Sequence, residues 1–469
     1  MITVGRNIRI WGAWTLPLVY ALLIGLGGLE GVALTVLSLA YLALYAGLTL
    51  PALEAAYSGL FGVIAFLPIA SFPWVLAGAH LTLLNWSVLC LVLAWAWETR
   101  RRPEWPPPSV AWPLVAFLAL ASLSVIVNSA WLPPRLTTWR RFVEYLLNAG
   151  LILVHLNGVR TQDRLEHLLR WLILSAAGAA ALGLILHLLP DAQAERFLFN
   201  LAPLGYPRTG ILRHLLGDPA LPLRATGTHF DPNLFGGFVA LGLMLSLSQP
   251  FAARRLWPWP VLFAFWGVSL AALIASYSRA AIVGSVAALG LIALFDAPLL
   301  MLGLAAGTLL LLLLPVTRPY LLHLLAGFAG RDAATQMRFE EYRSALVWIR
   351  RYPWLGAGLG GVPDPDLTPR IVSSAYLFIA ERWGLPALGA WLATLAATLQ
   401  IAWVSWRRLP LHLAPLAHAI YATLVGLLVI GLLDHYWVNP DFSHTALLFW
   451  LTVSLVLVTH RLQADRHVS

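Results

Sequence analysis

The chain has 469 residues, of which 60% are hydrophobic and only 11% charged, with a formal net charge of +9. An average soluble domain is about 25% charged, so a soluble globular fold is excluded. Apolar runs that continue for about 20 residues, instead of alternating over short strands, exclude a β-barrel and predict an all-α, polytopic membrane protein.

All thirty basic residues are Arg and none forms a basic block, so nucleic acid is not an expected partner. The one cysteine, Cys90, can build neither an intramolecular disulfide nor a structural zinc site. The first apolar run follows Arg6 and Arg9 without a small-residue cleavage site and reads as a retained span.

In chain order, spans are predicted near 11–29, 31–50, 57–78, 81–97, 111–128, 141–157, 168–189, 231–249, 258–276, 280–295, 297–316, 373–400, 413–433 and 442–460. That makes about fourteen, with twelve as the lower bound, because Pro51, Pro68 and Pro73 interrupt the stretch 31–97. With the N-terminus inside, the short arginine-bearing connections at Arg100–Arg102, Arg160, Arg164, Arg254, Arg255, Arg407 and Arg408 all fall on the inner side. Both termini are therefore expected in the cytoplasm. The outer arginines cluster in two long connections, about 190–230 and 317–372. The chain divides accordingly into N-terminal spans and the first long loop (1–223), central spans with an arginine site (224–317), a loop acting as a lid (318–372) and C-terminal spans (373–469).

Four stretches carry residues with chemical potential. Arg224 to Asn233 closes the first outer loop and opens a span; Asp231 before Pro232 has the pattern of a helix N-cap, and Arg224 suits either an anion or a snorkelling position. Tyr277-Ser278-Arg279 sits between two apolar runs with no room for a loop, so Arg279 lies at or beneath the outer interface, where a charge usually faces a cavity or partner. Residues 336–351 place Phe339, Tyr342, Leu346 and Ile349 on one stripe of an amphipathic helix expected along the membrane surface, bracketed by Arg338, Glu341 and Arg343. It runs through Pro353 into the glycine-rich stretch Gly356 to Gly361. Ser373 to Gly384 opens the next span and would carry Glu381 and Arg382 two turns inside it, as a functional carboxylate or as an internal ion pair. Asp434 and His435 stand on the same outer side, where a lone histidine is usually structural.

In that order and spacing, Arg224 to Asn233, Ser278-Arg279, Arg338 through Gly360, and Tyr376 to Glu381 with Gly384 resemble the O-antigen ligase and O-antigen polymerase superfamily of bacterial envelope polysaccharide assembly. The resemblance covers 224–390. It implies a metal-independent, cofactor-free glycosyltransferase of the bacterial inner membrane whose site faces the periplasm. Such an enzyme takes a glycan from undecaprenyl pyrophosphate and gives it to a glycan or lipid acceptor. By the same resemblance, Arg224 and Arg279 hold the pyrophosphate and the long periplasmic loop shapes the acceptor site; Arg338, Arg343, Tyr376 and Arg382 are the further candidates for binding substrate.

Ligases of this family carry a His, often followed by Asn, where this chain has Ser373-Ser374. A serine cannot act as a base alone, which leaves Glu381, His229 and Asp231 as candidate bases and favours a polymerase-like enzyme over a ligase. A transporter of polyprenyl lipid or another anion is the competing class. It predicts matching broken spans in the two halves, and the sequence carries no such internal symmetry.

Overall fold

The structure is a computed structural model that describes residues 2–76, 78–99, 103–252, 254–297, 333–360 and 371–464. It is a polytopic helical membrane protein. Among the described residues, nine helices are long and apolar enough to cross a membrane, and three shorter apolar helices accompany them. The predicted span 297–316 and much of the loop after it lie outside the described residues.

The first group of helices comprises α1 (Ile2–Gly27), α2 (Gly31–Thr49), α3 (Leu53–Phe66), α4 (Leu83–Glu98), α5 (Pro108–Asn128), α6 (Leu136–Gly150), α7 (Ile152–Gly158), α8 (Gln162–Leu188) and α9 (Asp191–Phe199). The second comprises α10 (Pro232–Ser246), α11 (Trp259–Ser276), α12 (Arg279–Phe295), α13 (Ala333–Arg351), α14 (Ala375–Trp383), α15 (Leu385–Trp406), α16 (Ala414–Leu433) and α17 (Ser443–Ala464). Helix α1 packs on α3, and α3, α10 and α11 pack on α8; α12 packs on α16, and α15 on α5. Helix α10 touches α8, α12 and α16 and so joins the two sides. The α12–α16 contact is close because Gly284 and Gly426 face one another: a Cβ on either would come within 2.7 or 2.8 Å of the other's carbonyl oxygen. Small residues let backbones approach where apolar burial between helices gives no driving force.

Three predicted spans are corrected. The run 57–78 is helical only to Phe66, because Pro68 can neither donate to a helical ladder nor leave its predecessor free to be helical. The chain then forms an antiparallel hairpin, β1 (Ser71–Leu76) with β2 (Ala79–Thr82), turning through Gly78 at φ +82°. The run 141–157 is two helices, α6 and α7, and α6 is amphipathic. Its polar groups are bonded laterally: Asn85 donates to Glu144 at 2.8 Å, Asn148 to the Ser443 hydroxyl at 2.9 Å, and Arg141 pairs with Asp441 at 2.7 Å.

The run 373–400 breaks at Gly384, where φ is +88°, into α14 and α15. Here the chain turns against the carbonyl of Trp354, which occupies the space a Cβ would need, and Pro386 starts the next helix. Glu381 and Arg382 therefore stand in a short helix before the span instead of inside it.

A second small pairing, β3 (Arg213–His214) with β4 (Leu223–Arg224), delivers Arg224 to the bundle.

Candidate functional site

The site forms where the N-termini of α10, α12 and α14 meet the C-termini of α11 and α16. Its floor is the turn between α11 and α12. Tyr277 takes a left-handed conformation, φ +52°, which costs a non-glycine residue roughly 1 kcal/mol and lets α12 start at once. Gly236 of α10 lies against this turn, since a Cβ there would meet Ser278 Cβ at 2.7 Å.

Arg224 is pinned over the turn. Its Nε donates to the Ser276 carbonyl at 2.8 Å and a terminal nitrogen donates to Asn233 Oδ1 at 2.8 Å, while the amide of Ala225 donates to the Ala275 carbonyl. Asp231 caps α10 as the sequence suggests, accepting from the amides of Asn233 (2.7 Å) and Leu234 (3.2 Å). Arg279, the first residue of α12, donates to Thr335 of α13 at 3.4 Å. Burial lowers the Arg224 pKa; the carboxylates of Asp231 and Asp434 oppose this, and Arg338 and Arg279 add like-charge repulsion. Three arginines from three separate elements and two carboxylates thus share one field.

Helix α13 corrects the expected stripe. Phe339 and Leu346 are exposed, whereas Ala345, Trp348 and Ile349 are buried. On the same inward side, Glu341 accepts the Ser373 amide at 3.0 Å and the Tyr342 hydroxyl donates to the carbonyls of Ser373 (3.0 Å) and Leu432 (3.3 Å). The charged face of α13 is therefore tied to the bundle, because it has polar backbone ends to bond there. Arg343 falls on the exposed side of this helix.

Asp434 and His435, which close α16, complete the cluster. The carbonyl of Asp434 accepts the Ala375 amide at 3.0 Å, so this segment runs beside Ser373-Ser374. Its Oδ1 accepts the His435 amide at 2.8 Å and lies 3.2 Å from His435 Nδ1. Burial alone would raise the Asp434 pKa, but the His435 hydrogen bond, its imidazole, Arg338 and the His435 amide together hold it below the usual carboxylate range. Asp231 moves the opposite way: burial and then the Asp434 charge raise it, against two amides and Arg224. The sequence signal for this pair was an acid followed by a histidine directly after an apolar run, but its nearness to the arginines is a product of folding.

Glu381 and Arg382 sit to one side. The Glu381 and Arg382 carbonyls accept the amides of Ala357 and Gly358, both at 2.8 Å, and Ser124 and Asn128 of α5 close over the same turn. Gly356 is required here, since a Cβ would meet the Glu381 carbonyl at 2.6 Å. Burial raises the Glu381 pKa, with Arg382 and His435 opposing. The Arg382 Nε lies 3.6 Å from Glu381 Oε1.

Tyr376 points to α16, its hydroxyl donating to the Leu428 carbonyl at 3.0 Å. His229 is enclosed by Phe235, Phe238 and His444, and neither ring nitrogen has a partner among the described residues. Burial, then His444, holds its pKa well below that of a free imidazole. Of the sequence-predicted residues, the fold gathers Arg224, Asp231, Arg279 and Arg338, places Glu381 and Arg382 beside them, and turns Arg343 and Tyr376 elsewhere.

Arginines and carboxylates from separate elements thus gather at one end of a bundle of membrane-length helices. Residues 262–388 match the family model described as O-antigen ligase. That match covers about a quarter of the chain; over this stretch it supports a likeness to the O-antigen ligase and polymerase superfamily and a glycosyltransferase activity of that type. The matched stretch contains Arg279, Arg338, Glu341 and Ser373 to Gly384; Arg224, Asp231 and Asp434 join it through folding. No curated protein matches the chain.

Proposed function

We propose that the protein is a metal-independent, inverting glycosyltransferase that moves a glycan from undecaprenyl pyrophosphate to an acceptor hydroxyl at the periplasmic face of the bacterial inner membrane, in the manner of an O-antigen polymerase. The observation that carries this reading is that Arg279 and Arg338 lie close enough to Arg224 for their charges to act on it. Each guanidinium offers a fork of donors that matches phosphate oxygens, and together they neutralise the charge that grows on a departing pyrophosphate.

The donor's polyprenyl chain lies between spans while the arginines hold the pyrophosphate. The acceptor enters beneath α13, its oxygen attacks the anomeric carbon from the face opposite the leaving group, and the configuration inverts. Pyrophosphate so held needs little acid assistance, and activation of the acceptor becomes the demanding part. Asp231, Glu381 and His229 are the bases suggested by sequence. Of these, Asp231 is nearest the arginines, Glu381 is buried beside Arg382, and His229 is enclosed behind the site.

The description of the matching family favours a second reading, in which the acceptor is a lipid A core or another terminal sugar. Incubating purified protein with undecaprenyl-pyrophosphate-linked repeat units alone separates the two. A ladder of products on a gel supports the polymerase, transfer only after a lipid A core is added supports the ligase, and no transfer to either acceptor contradicts both.

A further inference from the structure

The end of the bundle opposite the arginine site carries a second charged cavity, of about 680 Å³. Helix α8 shows which end this is. Gly183, near its C-terminus, lies beside the site, where a Cβ on Gly227 would meet its Cα at 3.4 Å, whereas the cavity opens at the first turns of α8, from Thr161 to Arg170. The other walls are Arg6 of α1, the start of α3 at Ala52 and Glu54, the end of α4 at Glu98, and Arg254 between α10 and α11.

Four arginines and four carboxylates line this cavity, and they are unevenly matched. Glu54 accepts from Arg6 at 2.7 Å and lies 3.5 Å from Arg164, which also pairs with Glu98 and donates to the Gly158 carbonyl at 2.9 Å. Glu166 lies 3.3 Å from a terminal nitrogen of Arg170 and accepts from Gln162 at 3.0 Å. Asp163 is exposed in the first turn of α8, where its charge complements the helix dipole. Among the described residues, no carboxylate pairs with Arg254, and the buried Nε of Arg170 has no acceptor. Both α3 and α8 begin at the cavity, so their first amides add to the positive field of the arginines. Such a field suits an oxyanion, which the guanidinium forks can bind.

Aromatic rings say where that oxyanion comes from. One to two turns further along α1, Trp11 packs on Trp171 at 4.7 Å and on Trp14 at 6.1 Å between centroids, yet remains 48% exposed. His167, close enough to Glu54, Arg6 and Arg170 for their charges to act on it, lies 6.1 Å from Trp171. An exposed indole next to a cluster of arginines is the arrangement found at the level of lipid headgroups, where the ring meets acyl chains and the charges meet phosphate. A site for a soluble anion has no use for it.

We propose that this cavity holds the headgroup of an anionic phospholipid from the leaflet on this side of the membrane. Its phosphate is reached by Arg170 and Arg254, and its chains run along the exposed face of Trp11. Bound there, the lipid ties α1 and α8 to the connection between α10 and α11. Those two helices carry Asn233 and Ser276, the braces of Arg224 at the other end.

Native mass spectrometry of delipidated, full-length protein tests this with phosphatidylglycerol, phosphatidylcholine and inorganic phosphate. The proteins compared are wild type, Arg254→Gln, the double variant Arg170→Gln, Arg254→Gln, and Arg350→Gln, whose arginine is exposed at the other end. Phosphatidylglycerol is expected to bind wild type about tenfold or more tightly than phosphatidylcholine. Its affinity should fall about fivefold in Arg254→Gln and about 20-fold or more in the double variant, and stay unchanged in Arg350→Gln. Equal affinity in wild type and Arg254→Gln overturns the proposal, and that single variant decides it if the double variant does not fold. Equal binding of the two lipids also overturns it. Inorganic phosphate that displaces phosphatidylglycerol at equal concentration makes this a site for a soluble anion and overturns the lipid assignment.

Discussion

Arg224 and Asn233 meet at 2.8 Å across the start of α10, so the residue proposed to hold pyrophosphate is braced by the same helix turn that Asp231 caps. A bracing contact of this kind fixes the direction of a guanidinium before substrate arrives. Arg224→Ala is expected to lower transfer by about 100-fold or more, as removal of one preorganised donor does elsewhere, and Arg224→Lys to recover only part of it, because a point charge cannot make the forked contact. Turnover of purified variants at matched protein concentration checks both.

Asp231 has two separable roles. Its side-chain oxygen caps α10, and its charge faces Arg224 and Asp434. Asparagine keeps the acceptor and removes the charge. Asp231→Asn is therefore expected to retain thermal stability, whereas Asp231→Ala loses about 1 kcal/mol through the missing cap. Thermal unfolding in detergent distinguishes the two.

Asp434 gives a pH signature. Its folded pKa is depressed by His435 and Arg338, so the stability it contributes is fully present above the unfolded value of about 3.9 and is lost as pH falls through the lower folded value. Wild-type protein should lose stability on acidification below about pH 4, and Asp434→Asn should start lower and fall less over that range. Unfolding temperatures from pH 7 to pH 3 measure the difference.

The outward and inward faces of α13 should differ in consequence. Arg338 lies in the field of Arg224 and Asp434, while Arg343 is exposed. Arg338→Ala is expected to raise the KM for donor severalfold, and Arg343→Ala to produce less than a third of that effect. Donor titrations on both variants decide it.

Gly384 is the hinge on which the glycine-rich turn is seated. With φ at +88° and the Trp354 carbonyl in the place of a Cβ, Gly384→Ala is expected to destabilise by more than about 1 kcal/mol and to lower transfer by loosening the 353–358 turn. Unfolding temperature and turnover should fall together.

The membrane class and the uninterrupted spans were legible in sequence because apolar runs such as 31–50, 258–276 and 413–433 begin and end with their helices. The breaks were not. Trp383 and Leu385 are apolar on both sides of Gly384, so hydropathy passes smoothly across a point where the backbone turns against Trp354, a tertiary partner that no local pattern reveals. The site divides in the same way. Arg224, Asp231 and Asn233 were readable because they are close together in the chain, and Arg279 because it lacks a loop. Asp434 and His435 depend on the end of α16 meeting the start of α14, and the inward turn of Glu341 and Tyr342 depends on backbone groups at Ser373 and Leu432 that α13 finds only on docking.

The central claim is that the arginines bind the pyrophosphate of a polyprenyl-linked glycan, and equilibrium binding of that donor to purified wild type and to Arg224→Ala, Arg279→Ala double-variant protein tests it most directly. Two charge-assisted contacts are worth about 3 kcal/mol or more together, so the account predicts an affinity at least about 100-fold weaker in the folded double variant. Equal affinity in the two proteins would contradict it.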